Sequence, residues 1–154
     1  MTAFRAVSIV PASGSDHRRF VLTSFRECLR DWCGPHVTNV RAHVDELERD
    51  WRGRGQVVIV TPIGHPETFL GWAASSAGAL VFAYVPQGLR GFGFASQLVA
   101  SLFDVAPVRL VYWTDAAEKI CEHGFPIVHD WREFARRQRF AERTPGPQQT
   151  ERAA

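Results

Sequence analysis

The chain has 154 residues and a mass of 17.3 kDa, the size of one domain. Hydrophobic residues make up 45% and charged residues 22%, a balance that excludes wholesale disorder. A net charge of +2 is too mild to imply a nucleic-acid partner by itself, and three cysteines without a CxxC pair argue against a disulfide framework or a zinc knuckle.

Phe4 to Val10 is apolar with loose alternation and reads as a first strand, broken by Pro11 and Gly14. The apolar run after Arg5 is too short for a secretion leader, because the polar stretch from Ser13 to Arg19 interrupts it; a cytoplasmic protein with reduced thiols is expected. Ser15 or Asp16 can cap a helix whose buried face is Val21, Phe25, Cys28, Leu29 and Trp32, and Gly34-Pro35 ends it. Thr38 or Asn39 can cap a second helix with the face Val40, Val44, Leu47 and Trp51, stopped by Gly53 and Gly55.

Gln56 to Thr61 is a buried strand, and residues 62–66 form a turn. Thr68 to Ala74 and Ala79 to Val85 read as a hairpin central in a sheet, turning at Ser75 to Gly78. The uncharged stretch from Thr68 to Leu89 is long enough to span a bilayer. Ser75, Ser76, Gly78, Pro86 and Gly88 break it into strands, so no membrane partner is expected.

A helix with the face Ala95, Leu98, Val99 and Leu102 follows the turn at Pro86 to Gly91. Val108 to Trp113 is a further strand, Asp115 can cap a short helix ending at Gly124, and Pro126 to Val128 is a last strand. Asp130 to Phe140 is a basic helix anchored by Trp131 and Phe134. Residues 1–143 then form a single domain, and the Pro- and Gln-rich residues 144–154 form a fraying tail. The class is α/β, a mixed sheet with helices on its faces.

The segment from Leu80 to Ala95 carries the chemistry. A buried strand runs into a glycine-rich turn, and an amphipathic helix leaves it. A helix start offers unpaired N–H groups and a partial positive charge, and glycines let a ligand approach the backbone closely. Together they form a pocket for phosphate oxygens, with Arg90 as a fixed cation at its mouth. A Rossmann fingerprint fits poorly, because Ser96 stands where the third glycine is needed, and no Gly-Lys-Ser/Thr follows to make a P-loop. An ordinary strand–turn–helix junction is the plain alternative.

Arg90-Gly91-Phe92-Gly93-Phe94-Ala95 resembles the R/Q-x-x-G-x-G/A signature of the GNAT superfamily of N-acetyltransferases. Three strands before the signature strand, two helices between the first two strands, and the pair Gly124-Phe125 after the next helix are similar to that family's order over roughly residues 4–128. The resemblance implies a GNAT-like fold, with the central sheet splayed between its fourth and fifth strands. It implies acetyl-CoA, or another acyl-CoA, held in that gap by Val85, Arg90, Gly91, Phe92, Gly93, Phe94 and Ala95. The acyl group would pass directly to a small-molecule or macromolecular amine, with a base for the amine and an acid for the departing thiolate.

Family members often carry a tyrosine acid four or five residues before the Gly-Phe pair; here Lys119 and Ile120 stand there, with Cys121 beside them. Cys121 and Tyr112 are candidate proton donors, and Asp115 is a candidate base as well as a candidate helix cap. Tyr84 is placed near the thioester or along the pocket wall. The six histidines show no HxH or HxxxH pair, so no metal site is expected and a surface position is the expectation for each. His36 and His43 lie on the side where the family builds its acceptor pocket.

The run from His17 to Phe25, with Val85 to Ala95, also resembles small GNAT-like proteins of tailed-phage genomes, whose relatives include DNA-base-modifying enzymes. With Arg132, Arg136, Arg137, Arg139 and Arg143 on the last helix, this keeps a nucleic-acid substrate open. The missing tyrosine keeps open a third alternative, a binding or regulatory protein that retains the fold without catalysis.

Overall fold

The computed structural model describes residues 6–31, 37–104, 107–122, 124 and 126–144. The expectations resting on Phe4, Trp32, Cys33, Gly34-Pro35, His36, His123, Phe125 and the tail from residue 145 lie outside these residues, as does the side chain of Ile120.

The elements run β1 (Val7–Pro11), α1 (Gly14–Asp31), α2 (Val40–Arg52), β2 (Gln56–Pro62), β3 (Gly71–Ser76), β4 (Ala79–Tyr84), α3 (Phe94–Leu102), β5 (Val108–Leu110), α4 (Asp115–Glu122), β6 (Ile127–His129) and α5 (Trp131–Arg143). One six-stranded sheet has the order β1-β2-β3-β4-β5-β6. The first four strands pair antiparallel; β4–β5 and β5–β6 are parallel. This is the mixed sheet with helices on both faces that the element order implied.

Each face of the sheet carries its own core. On one side Val21, Phe25, Cys28 and Leu29 of α1 and Val44 and Leu47 of α2 pack on Ile59, Trp72, Phe82 and Tyr112. Phe25 meets Trp72, Phe82 and Tyr112 edge to face, at centroid distances of 6.0, 5.3 and 5.3 Å. Each such ring, once buried, contributes about 2–3 kcal/mol. On the other side Leu98 and Val99 of α3 and Ala117 of α4 pack on Leu80, Val85, Leu110 and Ile127. The stretch from Thr68 to Leu89 is the β3–β4 hairpin with its flanks. Among the described residues no helix is long and apolar enough to cross a membrane.

Several boundaries differ from expectation. β3 starts at Gly71 rather than Thr68 and runs on to Ser76 rather than Ala74, the longer end because the hairpin turns in two residues: Ala77 and Gly78 both take positive φ, 50° and 80°, and Ser76 pairs with Ala79. β5 ends at Leu110 rather than Trp113: past it only the Val111 and Tyr112 amides still reach β4, and the chain then parts from it. Thr114, not Asp115, caps α4: its hydroxyl accepts from the Ala117 amide at 3.2 Å, and Asp115 is the first helical residue. Asn39 does cap α2. Its Oδ1 accepts from the Ala42 amide, while Nδ2 donates to the carbonyls of Ala141 and Thr144 and so ties α2 to the end of α5.

Candidate functional site

The site begins with an irregularity in β4. Ala74 registers with Phe82 and Ser75 with Leu80, so Val81 is an extra residue, a β-bulge. The bulge lets the consecutive residues Val81 and Phe82 both join the α1-side core, while Leu80, Ala83 and Val85 belong to the α3 side. It falls where β5 departs. The β4–β5 register is the single pair Leu80–Leu110, continued by the Val111 amide to the Leu80 carbonyl at 2.9 Å and the Tyr112 amide to the Val81 carbonyl at 3.4 Å. Beyond that, Phe82, Ala83 and Tyr84 register with β3 alone.

A cavity of about 580 Å³ occupies the opening. Phe82 and Tyr112 reach it from the α1-side core, and Leu80, Val85, Val99 and Leu110 from the α3 side. One rim is the turn after β4, from Leu89 through Arg90, Gly91 and Gly93 to Phe94, Ala95 and Ser96. The opposite rim is the start of α4, with Thr114, Asp115, Ala116, Ala117 and Lys119.

The rim at α3 is open. Gly91 and Gly93 have φ of 91° and 82°, and a Cβ on either would meet no atom within 4 Å. Gly93 is the N-cap of α3 and has no side chain to take its first amides, so the helix start faces outward uncapped. The exposed Arg90 donates through Nε to the Val85 carbonyl at 3.1 Å, which fixes the guanidinium beside the cavity. Open space, backbone donors and a cation are the features a diphosphate needs. Leu80, Val85, Val99 and Leu110 make the walls beyond apolar.

The candidate proton-transfer groups separate. Tyr112 lines the cavity and is 0% exposed. Burial holds its hydroxyl protonated, well above the usual value of 10, despite the opposing charge of Arg137. Asp115 lines the cavity and is exposed. Tyr84, Phe92 and Cys121 are outside the cavity lining. Tyr84 lies on the α1 side, with Phe20 and Trp72 at 6.1 and 6.5 Å. Burial raises its hydroxyl, Cys28 and Glu27 add to that, and Arg90 opposes it. Phe92 stacks on Phe94 at 5.9 Å. Cys121 is exposed, with Sγ 3.7 Å from the Ile127 carbonyl.

Two polar groups are buried where sequence polarity implies a surface position. His43 was expected at the surface but is 1% exposed. Its Nδ1 lies 2.6 Å from the Tyr112 hydroxyl and its Nε2 3.0 Å from Gln138 Oε1. Burial lowers its pKa, against the raising effects of Gln138 and Glu46. Arg137 is 2% exposed and pairs with Asp50 at 2.7 Å and Glu133 at 3.1 Å. Arg136 is bonded to Glu46 and Glu133. Two of the five arginines that kept a nucleic-acid contact open therefore bind α5 to α2. Among the described residues, no three His, Cys, Asp or Glu side chains are placed to hold a metal ion.

No family model and no curated protein matches the chain. Solved structures similar to it include a protein of Pyrococcus furiosus assigned as an acetyl transferase, at 14% identity and a TM-score of 0.48, covering 78% of this chain and 93% of that one. Another is a GNAT-family acetyltransferase of Staphylococcus aureus Mu50, at 14% identity and a TM-score of 0.46, covering 88% and 79%. A third is a ribosomal-protein-alanine N-acetyltransferase of Brucella melitensis biovar Abortus 2308, at 18% and 0.43, covering 81% and 80%. What the cavity's own residues can do is independent of these likenesses.

Proposed function

We propose that the protein is an acyl-CoA-dependent N-acyltransferase, with acetyl-CoA as the acyl donor to test first and an amine as acceptor. The observation that carries this reading is the opening between β4 and β5, with the uncapped start of α3 on its rim. When bound, an acyl-CoA supplies an acyl group already activated for transfer.

The amides from Gly91 to Ala95 and the guanidinium of Arg90 hold the diphosphate. Leu80, Val85, Val99 and Leu110, with Phe82 and Ala83, line the channel for the arm. Asp115 is the carboxylate on the cavity rim and takes the proton from the acceptor amine. Tyr112 is the buried hydroxyl in the cavity lining; its link to His43 holds it in place. Tyr84, on the α1 side, and the exposed Cys121 both lie outside the cavity lining and have no part in this scheme.

A DNA base is the narrower choice of acceptor. It draws on the exposed Arg132, Arg139 and Arg143 of α5 and requires salt-dependent association with DNA. Calorimetry with CoA and acetyl-CoA tests the main reading. Saturable binding, with thioester turnover on an amine library or on DNA, is the expected result. Binding without turnover would make this a binding protein, and a folded protein that binds neither ligand would end the reading.

A further inference from the structure

Lys119 is the only lysine in the chain; the other 17 residues of the Lys+Arg total of 18 are arginines. It stands on α4 four residues after Asp115 and lines the cavity beside Asp115 and Ala116, a spacing that puts all three on one helix face. Its side chain is exposed, and among the described residues no carboxylate lies within ion-pair distance of it. The adjacent Glu118 is turned away to Trp113, accepting from its Nε1 at 2.6 Å. The same cavity is lined by Ala83, Val85 and, in the turn after β4, Arg90, Gly91 and Gly93.

An amine in this position differs in kind from the chain's guanidinium groups. Arginine stays protonated and is no nucleophile, whereas a lysine that loses its proton attacks thioesters. Two reactants held in one cavity react far faster than the same groups in solution. We propose that Lys119 is itself an acyl acceptor, so that the protein acylates its own α4 from a thioester held in the cavity.

The step balances without any oxidant or reductant. The Lys119 ammonium first gives one proton to water; the uncharged Nζ then attacks the thioester carbonyl carbon, a C–N bond forms and the C–S bond breaks. The sulfur leaves with the electron pair and takes up the proton that Nζ releases. The products are an acylated Lys119 and the CoA thiol, and the cavity loses its ammonium charge. The proposal rests on the acyl-CoA reading, and it needs no external acceptor.

Intact-mass spectrometry with peptide mapping tests it, on the full chain incubated with acetyl-CoA alone. One acetyl group per chain is expected, mapping to Lys119 and distinguishable from any at the N-terminal amine. Its rate should saturate with acetyl-CoA near the dissociation constant found by calorimetry, and free CoA should suppress it. Lys119→Arg should stay unmodified there while still binding CoA. If CoA binds but Lys119 stays unmodified, the inference is wrong and the acyl-CoA reading stands. The inference is equally wrong if modification rises linearly with acetyl-CoA, ignores free CoA, or proceeds as fast in the heat-unfolded chain. If CoA does not bind at all, both fall.

Discussion

Tyr112 gives its only proton to His43: the hydroxyl oxygen lies 2.6 Å from Nδ1, and the same ring donates from Nε2 to Gln138 Oε1 at 3.0 Å. The amide oxygen of Gln138 only accepts, which puts the imidazole hydrogen on Nε2 and leaves Nδ1 as the acceptor. One wall of the cavity is thereby fastened to α2 and, through Gln138, to α5. Tyr112→Phe should strand Nδ1 in the core and cost about 1–3 kcal/mol of stability, read from denaturant unfolding. A loss indistinguishable from zero would mean that the pair does not form.

The same ring makes stability depend on pH. Burial lowers the folded-state pKa of His43 below 6.5, so as pH falls through 6.5 the unfolded chain takes up a proton that the folded one refuses. Stability should be full above that value and decline below it, until the folded imidazole also protonates. Glu133 acts lower: its hydrogen bonds to Arg136 and the nearby cations hold its carboxyl below 4.5, so its contribution is lost only as pH falls from there through the folded value. Unfolding at pH 8 and pH 5.5 should show a larger acid loss for the parent chain than for His43→Gln. Equal losses would place the titration elsewhere.

How far the sequence reveals this architecture depends on whether residue type agrees with position. The helical spacing of Val21, Phe25, Cys28 and Leu29 agrees with their burial, and the glycine-rich turn after β4 is visible from its composition. His43 and Arg137 sit on equally periodic faces, among Val40, Val44 and Leu47 and between Phe134 and Ala141. Their polarity hides that spacing, because burial of such groups depends on partners distant in sequence. The end of β5 is hidden for a similar reason: Val111, Tyr112 and Trp113 have strand propensity, but the splay from β4 stops the ladder. Nor does sequence single out Ala77 for positive φ or Lys119 for the cavity wall.

Arg137 holds the terminal helix. Its Nη2 pairs with Asp50 of α2, its Nε pairs with Glu133, and its Nη1 is buried without a hydrogen-bond partner among the described residues. Removing a buried cation leaves its carboxylates uncompensated. Arg137→Met should cost roughly 2–4 kcal/mol, below the upper range for buried pairs because Asp50 and Glu133 keep some exposure. Asp50→Asn combined with it in a double-mutant cycle should show a coupling of about 0.5–3 kcal/mol. Strict additivity would show that the pair contributes nothing.

The rim of α3 can be tested so that backbone strain and ligand charge are separated. At φ of 82°, any side chain on Gly93 strains the turn, at a cost of about 1–2 kcal/mol. Gly93→Ala and Gly93→Glu should therefore lose similar stability in thermal unfolding. Toward CoA they should diverge. The methyl enters open space and weakens binding modestly, whereas the carboxylate occupies the place where a diphosphate would sit and should remove binding altogether. Arg90→Ala should weaken CoA binding by about 10- to 150-fold, the worth of a charge-assisted hydrogen bond of about 1.5–3 kcal/mol. Equal CoA affinity in the alanine and glutamate variants of Gly93 would mean that this rim holds no anion.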